Sequence, residues 1–287
     1  MSRYILKPPV GAVLNKHHPL AKGLVGAWLM NEARGLITNE YIHHDKCILE
    51  GASFSNSSVY FNGNDAGIHC GARDHVGNSS PISIVGKIHP TSLLANGSNI
   101  ISKYDSWSVG GNQYRFRLRS DDDGFGFTRD NTVVWNTMVT ANLNEDISFG
   151  FCGSSSGGRM YKNGVLETQT DESCTTASSG DENQVWIGVI DYTDEEFTGY
   201  MYYLYLYTRC LSPAEILSLH LDPYQMFRHD PIELWTYEAA GTNNNYIRFH
   251  SNGNVSCTGI IDETHDHFRL INNGSIECSE FDEITLG

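Results

Sequence analysis

Three consecutive carboxylates, Asp121, Asp122 and Asp123, stand directly before Gly124. Calcium collects hard oxygen ligands, so this turn is the candidate Ca²⁺ site. The plainer alternative is a solvated hairpin tip, because successive side chains at a strand end point to opposite faces. A second constellation mixes aromatic rings with planar polar groups: Tyr104, Asp105 and Trp107, then Asn112 and Tyr114. Rings cover the C–H faces of a sugar, and amides or carboxylates take its hydroxyls. This stretch is therefore the candidate glycan site, with Asp191 and Tyr192 of a downstream acidic loop as further ligand-binding residues. Aromatics in strands are more often buried, which leaves Trp107 and Tyr114 as core residues in the competing reading. Arg115, Arg117 and Arg119 alternate along one strand, where they could meet an acidic glycan or an acidic neighbour. His43, His44 and Asp45, and the tail cluster Asp262, Glu263, His265, Asp266 and His267, gather metal-ligand types without a clear third ligand. No Gly-x-Ser-x-Gly elbow, His-Glu-x-x-His pair or phosphate loop occurs.

These residues need strands to hold them. Tyr114 to Arg119 alternates apolar and basic side chains, the pattern of a half-buried strand. Asp123-Gly124 and Asn163-Gly164 are hairpin turns, since both residue types tolerate the positive φ that tight hairpins need. Tyr200 to Tyr207 is apolar on both faces and reads as a central strand. Many short strands joined by hairpins predict an antiparallel, all-β body with no βαβ units. One helix is expected: Ser212 caps it, Pro213 opens it, Glu215 completes a capping box, and Asp222-Pro223 ends it. It is expected to seal an edge or end of the body.

The organisation along the chain follows. Residues 1–20, with Pro8, Pro9 and Pro19, form an extended arm; 21–238 form the sandwich; 239–245 are a polar linker. Residues 246–287 hold an internal repeat. Ile247 to Cys257 matches Phe268 to Cys278, each a strand, an Asn-Gly turn and a strand. Such hairpins bury little alone, so they are expected to anchor or oligomerise the chain. The 287 residues carry 34 acidic and 19 basic groups, a net charge of −15, which argues against nucleic acid as partner. No apolar run is long enough to span a bilayer, so no membrane partner is expected. Seven cysteines without a Cys-x-x-Cys pair suggest reduced thiols made in a reducing cytosol, with a Cys257–Cys278 disulfide as the alternative.

Several segments together resemble a known module. They are Gly23-Leu24-Val25-Gly26-Ala27-Trp28, Val59-Tyr60-Phe61-Asn62-Gly63, Ile82 to Pro90, Tyr161-Lys162-Asn163-Gly164, and Phe197 to Tyr207 running into Leu211-Ser212-Pro213-Ala214-Glu215-Ile216. In this order they resemble the laminin-G-like jelly-roll module of the concanavalin A-like lectin/glucanase group, over roughly residues 20–222. The flanks His18 to Val25 and Asp222 to Phe227 are similar to versions found in tailed-bacteriophage structural proteins. The resemblance implies a two-sheet antiparallel jelly-roll sandwich with one short helix and a small C-terminal hairpin module. It also implies a virion-surface protein assembled in the host cytoplasm. Its expected partners are other virion proteins, copies of itself in a homotrimer, and a host surface glycan. Glucanases of this fold resemble each other in a strand of alternating carboxylates, and none occurs in the sandwich region. The expectation is thus a structural, lectin-like protein that catalyses nothing. A lectin-type receptor-binding module and a glycoside hydrolase or lyase are the alternatives.

Overall fold

The computed structural model describes residues 7–72, 80–94, 97–104, 114–119, 124–129, 132–175, 184–189 and 195–227, together with short strands further on. The chain divides into two compact units, Met1–Arg228 and His229–Gly287.

Among the described residues, sixteen strands build the first unit. They are β1 (Leu24–Trp28), β2 (Ile37–Asn39), β3 (Lys46–Glu50), β4 (Ser53–Phe54), β5 (Val59–Asn62), β6 (Gly67–Ala72), β7 (Ile82–Ser92) and β8 (Ser98–Tyr104). Then come β9 (Tyr114–Leu118), β10 (Gly124–Arg129), β11 (Thr132–Thr140), β12 (Ile147–Ser154), β13 (Gly157–Lys162), β14 (Val165–Thr170), β15 (Gln184–Ile187) and β16 (Thr198–Tyr207). The first sheet runs β14-β13-β12-β7-β16-β5-β4, with β1 also paired to β16. The second runs β11-β10-β9-β8-β15-β6-β3-β2. Neighbouring strands pair antiparallel in both, as the hairpin content predicts.

Alternation explains why these segments become strands and which side faces in. In β9, Tyr114, Phe116 and Leu118 are buried while Arg115 and Arg117 stay half-exposed. The rings of Phe116, Phe125, Phe127, Phe149 and Phe151 meet between the sheets with centroids 4.3–5.6 Å apart. The hairpin at Asn163-Gly164 forms as expected, with φ of 51° and 80° at the two residues.

The helix α1 (Pro213–Leu221) has its full capping box: Ser212 accepts from the Glu215 backbone and Glu215 reaches back to Ser212. It does not seal an edge, as the sequence suggested. It lies over the outer face of the first sheet, with Ile216 above Gly150. The cause is β16, whose alternate residues Tyr203, Tyr205 and Tyr207 point outward and form a second apolar layer with Ile216, Leu219, Tyr224, Met226 and Phe227. A sheet face that apolar needs a cover. The arm is also part of this unit. The Asn15 backbone N–H donates to the Met226 carbonyl at 2.8 Å, and Asn31 Nδ2 donates to the Pro8 carbonyl at 2.8 Å.

The second unit contains a three-stranded sheet, β17 (Ile232–Glu238), β18 (Asn244–Phe249) and β19 (Val255–Thr258), and a two-stranded one, β20 (Arg269–Leu270) and β21 (Ile276–Glu277). β18–β19 and β20–β21 are the two copies of the repeat. Residues 239–243 of the expected linker fall outside the described residues; Glu238 and Asn244, on either side of them, pair between β17 and β18. The boundary between units falls instead after Arg228.

Candidate functional site

Beyond the reach of α1, the outer face of the first sheet is polar and open. In β7 the outward positions change from Ser83 and Val85 to Lys87 and His89 along a single strand. β16 runs beside it with a register shift between Met201 and Tyr203, so that Tyr200 pairs with His89 and Tyr203 with Lys87. Tyr202 is the extra residue of this bulge, and a bulge re-aims the side chain it adds.

Asp146 ties these side chains together from the turn before β12. Its Oδ2 accepts from Lys87 Nζ at 2.7 Å. Its Oδ1 lies 2.9 Å from His89 Nδ1 and accepts from the Tyr202 hydroxyl at 3.2 Å. Burial raises the Asp146 pKa, but the hydrogen bonds from Lys87 and His89 outweigh it and hold the carboxyl below its usual range. Burial and the Asp146 charge together push Tyr202 up to about 12, so its hydroxyl stays a donor. The Lys87 ammonium also sits 4.8 Å from the Tyr202 ring centroid, a cation–π contact. Toward β5 the strip continues as rings: His89 and Tyr200 are 5.9 Å apart, Tyr200 and Tyr60 5.0 Å.

A cleft of about 410 Å³ opens beside this network. Ser148 and Asn163 line it from β12 and the β13–β14 turn, and His220 and Tyr224 from the helix and the segment after it. Burial, then the Lys87 charge, pushes the His220 pKa down. Lys7 closes one side, its Nζ donating to the carbonyls of Leu29 at 2.6 Å, Met30 at 3.2 Å and Tyr202. Burial takes the Lys7 ammonium down to about 7, against the opposing pull of Glu32. The cleft thus offers fixed donors, an ionised acceptor and tyrosine rings, the mixture that suits a polyhydroxylated ring with apolar C–H faces.

Of the ligand-binding and calcium residues expected from the sequence, Tyr104 and Tyr114 are among the described residues. Tyr114 is 1% exposed and belongs to the inter-sheet core, so its ring is not offered to a ligand. Inward alternation on β9 is the cause. Tyr104 ends β8, its backbone paired with Gln184. Asp105, Trp107 and Asn112, the Asp121–Asp123 turn, and Asp191 and Tyr192 fall outside the described residues. Arg115 and Arg117 face outward as read, but their acidic partner is internal: both pair with Glu195. His43 pairs with Glu40 at 3.3 Å. Among the described residues no group of three His, Cys, Asp or Glu side chains is placed to hold a metal ion. The tail cluster around His265 lies outside the described residues.

The family model for Laminin_G_3, described as the concanavalin A-like lectin/glucanases superfamily, matches residues 62–217, more than half of the chain. Solved structures with this fold include Trypanosoma rangeli sialidase in complex with sialic acid. Its TM-score is 0.57 at 15% identity, covering 71% of this chain and 34% of that one. Another is domain 4 of AbnA, a GH43 extracellular arabinanase from Geobacillus stearothermophilus, in complex with arabinotriose. Its TM-score is 0.51 at 13% identity, covering 69% of this chain and 98% of that domain. The chain therefore spans about a third of the sialidase it matches. At these identities the likeness shows the fold. No curated protein sequence matches the chain. The narrower likeness to phage modules finds no support in these matches. The expectation that the chain catalyses nothing is withdrawn: structures sharing this fold include a sialidase and a GH43 arabinanase, so the fold leaves catalysis open. That expectation rested on the missing strand of carboxylates and the absence of other catalytic motifs, and glycoside hydrolysis is not tied to that single carboxylate arrangement.

Proposed function

The chain belongs to the concanavalin A-like lectin/glucanase superfamily, and from that premise we propose that it binds carbohydrate in the cleft on the outer face of its first sheet. The observation that carries this reading is the Asp146 network. One carboxylate fixes Lys87, His89 and Tyr202 in place beside the Tyr200 and Tyr60 rings. Pre-arranged donors lose little freedom on meeting hydroxyl groups, and the rings supply apolar contact to sugar C–H faces. A domain of the same fold, AbnA domain 4, is known in complex with arabinotriose, which supports a sugar as the ligand class.

A glycan array probed with the full chain, followed by calorimetry on any oligosaccharide retained, tests this. Tyr202→Ala, at a tyrosine lining the cleft, is expected to weaken binding by about tenfold or more, equivalent to roughly 1.4 kcal/mol. Arg115→Ala, on the opposite sheet, leaves affinity unchanged. A flat array, or affinity indifferent to the Tyr202 substitution, overturns the assignment. Assaying the same glycans for new reducing ends after incubation tests the hydrolase reading directly.

A further inference from the structure

The described cysteines fall into two kinds. Cys152, Cys174 and Cys210 each donate their thiol to a backbone carbonyl: Leu211, Glu172 and Gly153 respectively. Cys47 and Cys70 instead have each other. β3 and β6 pair Glu50 with Gly67, Leu49 with Ile68 and Ile48 with His69. One step further along this ladder sets Cys47 opposite Cys70. Both side chains point inward, since both belong to the inter-sheet core. The Cys70 thiol hydrogen-bonds with that of Cys47. The Trp28 indole N–H donates to Cys47 Sγ at 3.3 Å and also bonds Cys70.

We propose that Cys47 and Cys70 form an oxidisable pair that closes to a cross-strand disulfide, stapling β3 to β6 against Trp28. Directly opposed antiparallel residues have a Cα spacing within the range disulfides span, but hold their Cβ atoms about 4.5–5.5 Å apart, against about 3.5–4.5 Å in a disulfide. Closure therefore draws the two side chains together by about 1 Å. The oxidant is a small-molecule disulfide such as oxidised glutathione. Cys70, 8% exposed against 0% for Cys47, is the more accessible of the two and reacts first when the buried pair opens locally. Its thiol loses a proton to solvent, and the thiolate attacks one glutathione sulfur. That forms a mixed disulfide and expels one glutathione thiolate. Cys47 then loses its proton and attacks the Cys70 sulfur, expelling the second glutathione thiolate and forming the internal bond. The two released thiolates take up the two protons. Two protein thiols are oxidised and one glutathione disulfide is reduced. Burial raises the Cys70 pKa well above that of a free thiol, so closure is faster at alkaline pH.

The test treats the full chain with oxidised glutathione at about pH 8.5, where the thiolate fraction rises. Non-reducing peptide mapping follows. The expected result is one cross-linked peptide pair joining Cys47 to Cys70. A fall in the emission of Trp28, one of five tryptophans, should accompany it. The unfolding midpoint should rise by about 5–10 °C. Excess dithiothreitol reverses all three. Cys70→Ser abolishes the cross-link, while Cys152→Ser retains it. Recovery of Cys47 and Cys70 as unlinked thiols from oxidised, folded protein overturns the proposal. So does cross-linking of either to another cysteine.

Discussion

The first sheet has an apolar layer on each side, and the two layers favour different aromatics. Between the sheets phenylalanines dominate: Phe149 and Phe151 from this sheet against Phe116, Phe125 and Phe127 from the other, with Trp28 and Tyr114 beside them. Under the helix tyrosines dominate: Tyr203, Tyr205, Tyr207 and Tyr161, with Phe227 among them. Both sets are buried, so hydrophobicity does not separate them. The difference lies at the ring's far end. Between two sheets most backbone groups are committed to ladders, which leaves few partners for a ring hydroxyl. The helical cover ends in loops with spare carbonyls, and the Tyr205 hydroxyl donates to that of Pro223 at 2.9 Å. A tyrosine layer thus does two jobs: it buries its ring and ties down the segment lying over it.

The largest effect should come from the phenylalanine side. Phe151 is fully buried, with Phe127 at 4.3 Å and Phe116 at 5.5 Å between centroids. Phe151→Ala is expected to cost about 3–5 kcal/mol in denaturant unfolding, from lost burial and the cavity left behind. A loss below about 1 kcal/mol would mean the layer is loosely filled, and the contrast between layers would fail.

Much of this division can be read from residue order. Tyr203, Tyr205 and Tyr207 alternate with Leu204 and Leu206, which marks two buried faces and a central strand, as found. The helix start at Ser212-Pro213-Ala214-Glu215 was legible because capping is a local device. Strands β2, β3 and β6 were not. They are short, and Lys46-Cys47-Ile48-Leu49-Glu50 exposes Ile48 at 49% on an outer face, which breaks the usual apolar-in, polar-out rhythm. The candidate site was legible in part. Lys87 and His89 at alternate positions of an otherwise apolar strand announce a polar stretch of one face. Nothing local announces that Asp146, from a distant turn, joins them, or that a bulge brings in Tyr202. Long-range register is set by both sheets at once, and no single segment encodes it.

A smaller effect sharpens the tyrosine side. Tyr205→Phe keeps the ring and removes the bond to the Pro223 carbonyl. The expected cost is about 1 kcal/mol. Hydrogen exchange should show where it falls, with faster exchange in Asp222–Phe227 and little change in β12. Uniform acceleration across the sandwich would mean the hydroxyl stabilises the whole unit and does not act as a local tie.

The smallest expected effect is the most discriminating. Tyr161 belongs to the same outer layer, 1% exposed, yet its hydroxyl is buried with no hydrogen-bond partner among the described residues. Burial raises its pKa, so the group stays neutral. If tyrosines are chosen here for what their hydroxyls reach, Tyr161 is the exception that should behave like a phenylalanine. Tyr161→Phe removes a desolvated polar group that forms no compensating bond, and is expected to leave stability unchanged or raise it by up to about 1 kcal/mol. Comparing its denaturation midpoint with that of Tyr205→Phe isolates the hydroxyl from the ring, since both substitutions keep the aromatic face. Equal losses at the two positions would show that layer chemistry, and not the individual partner, decides where tyrosine is used.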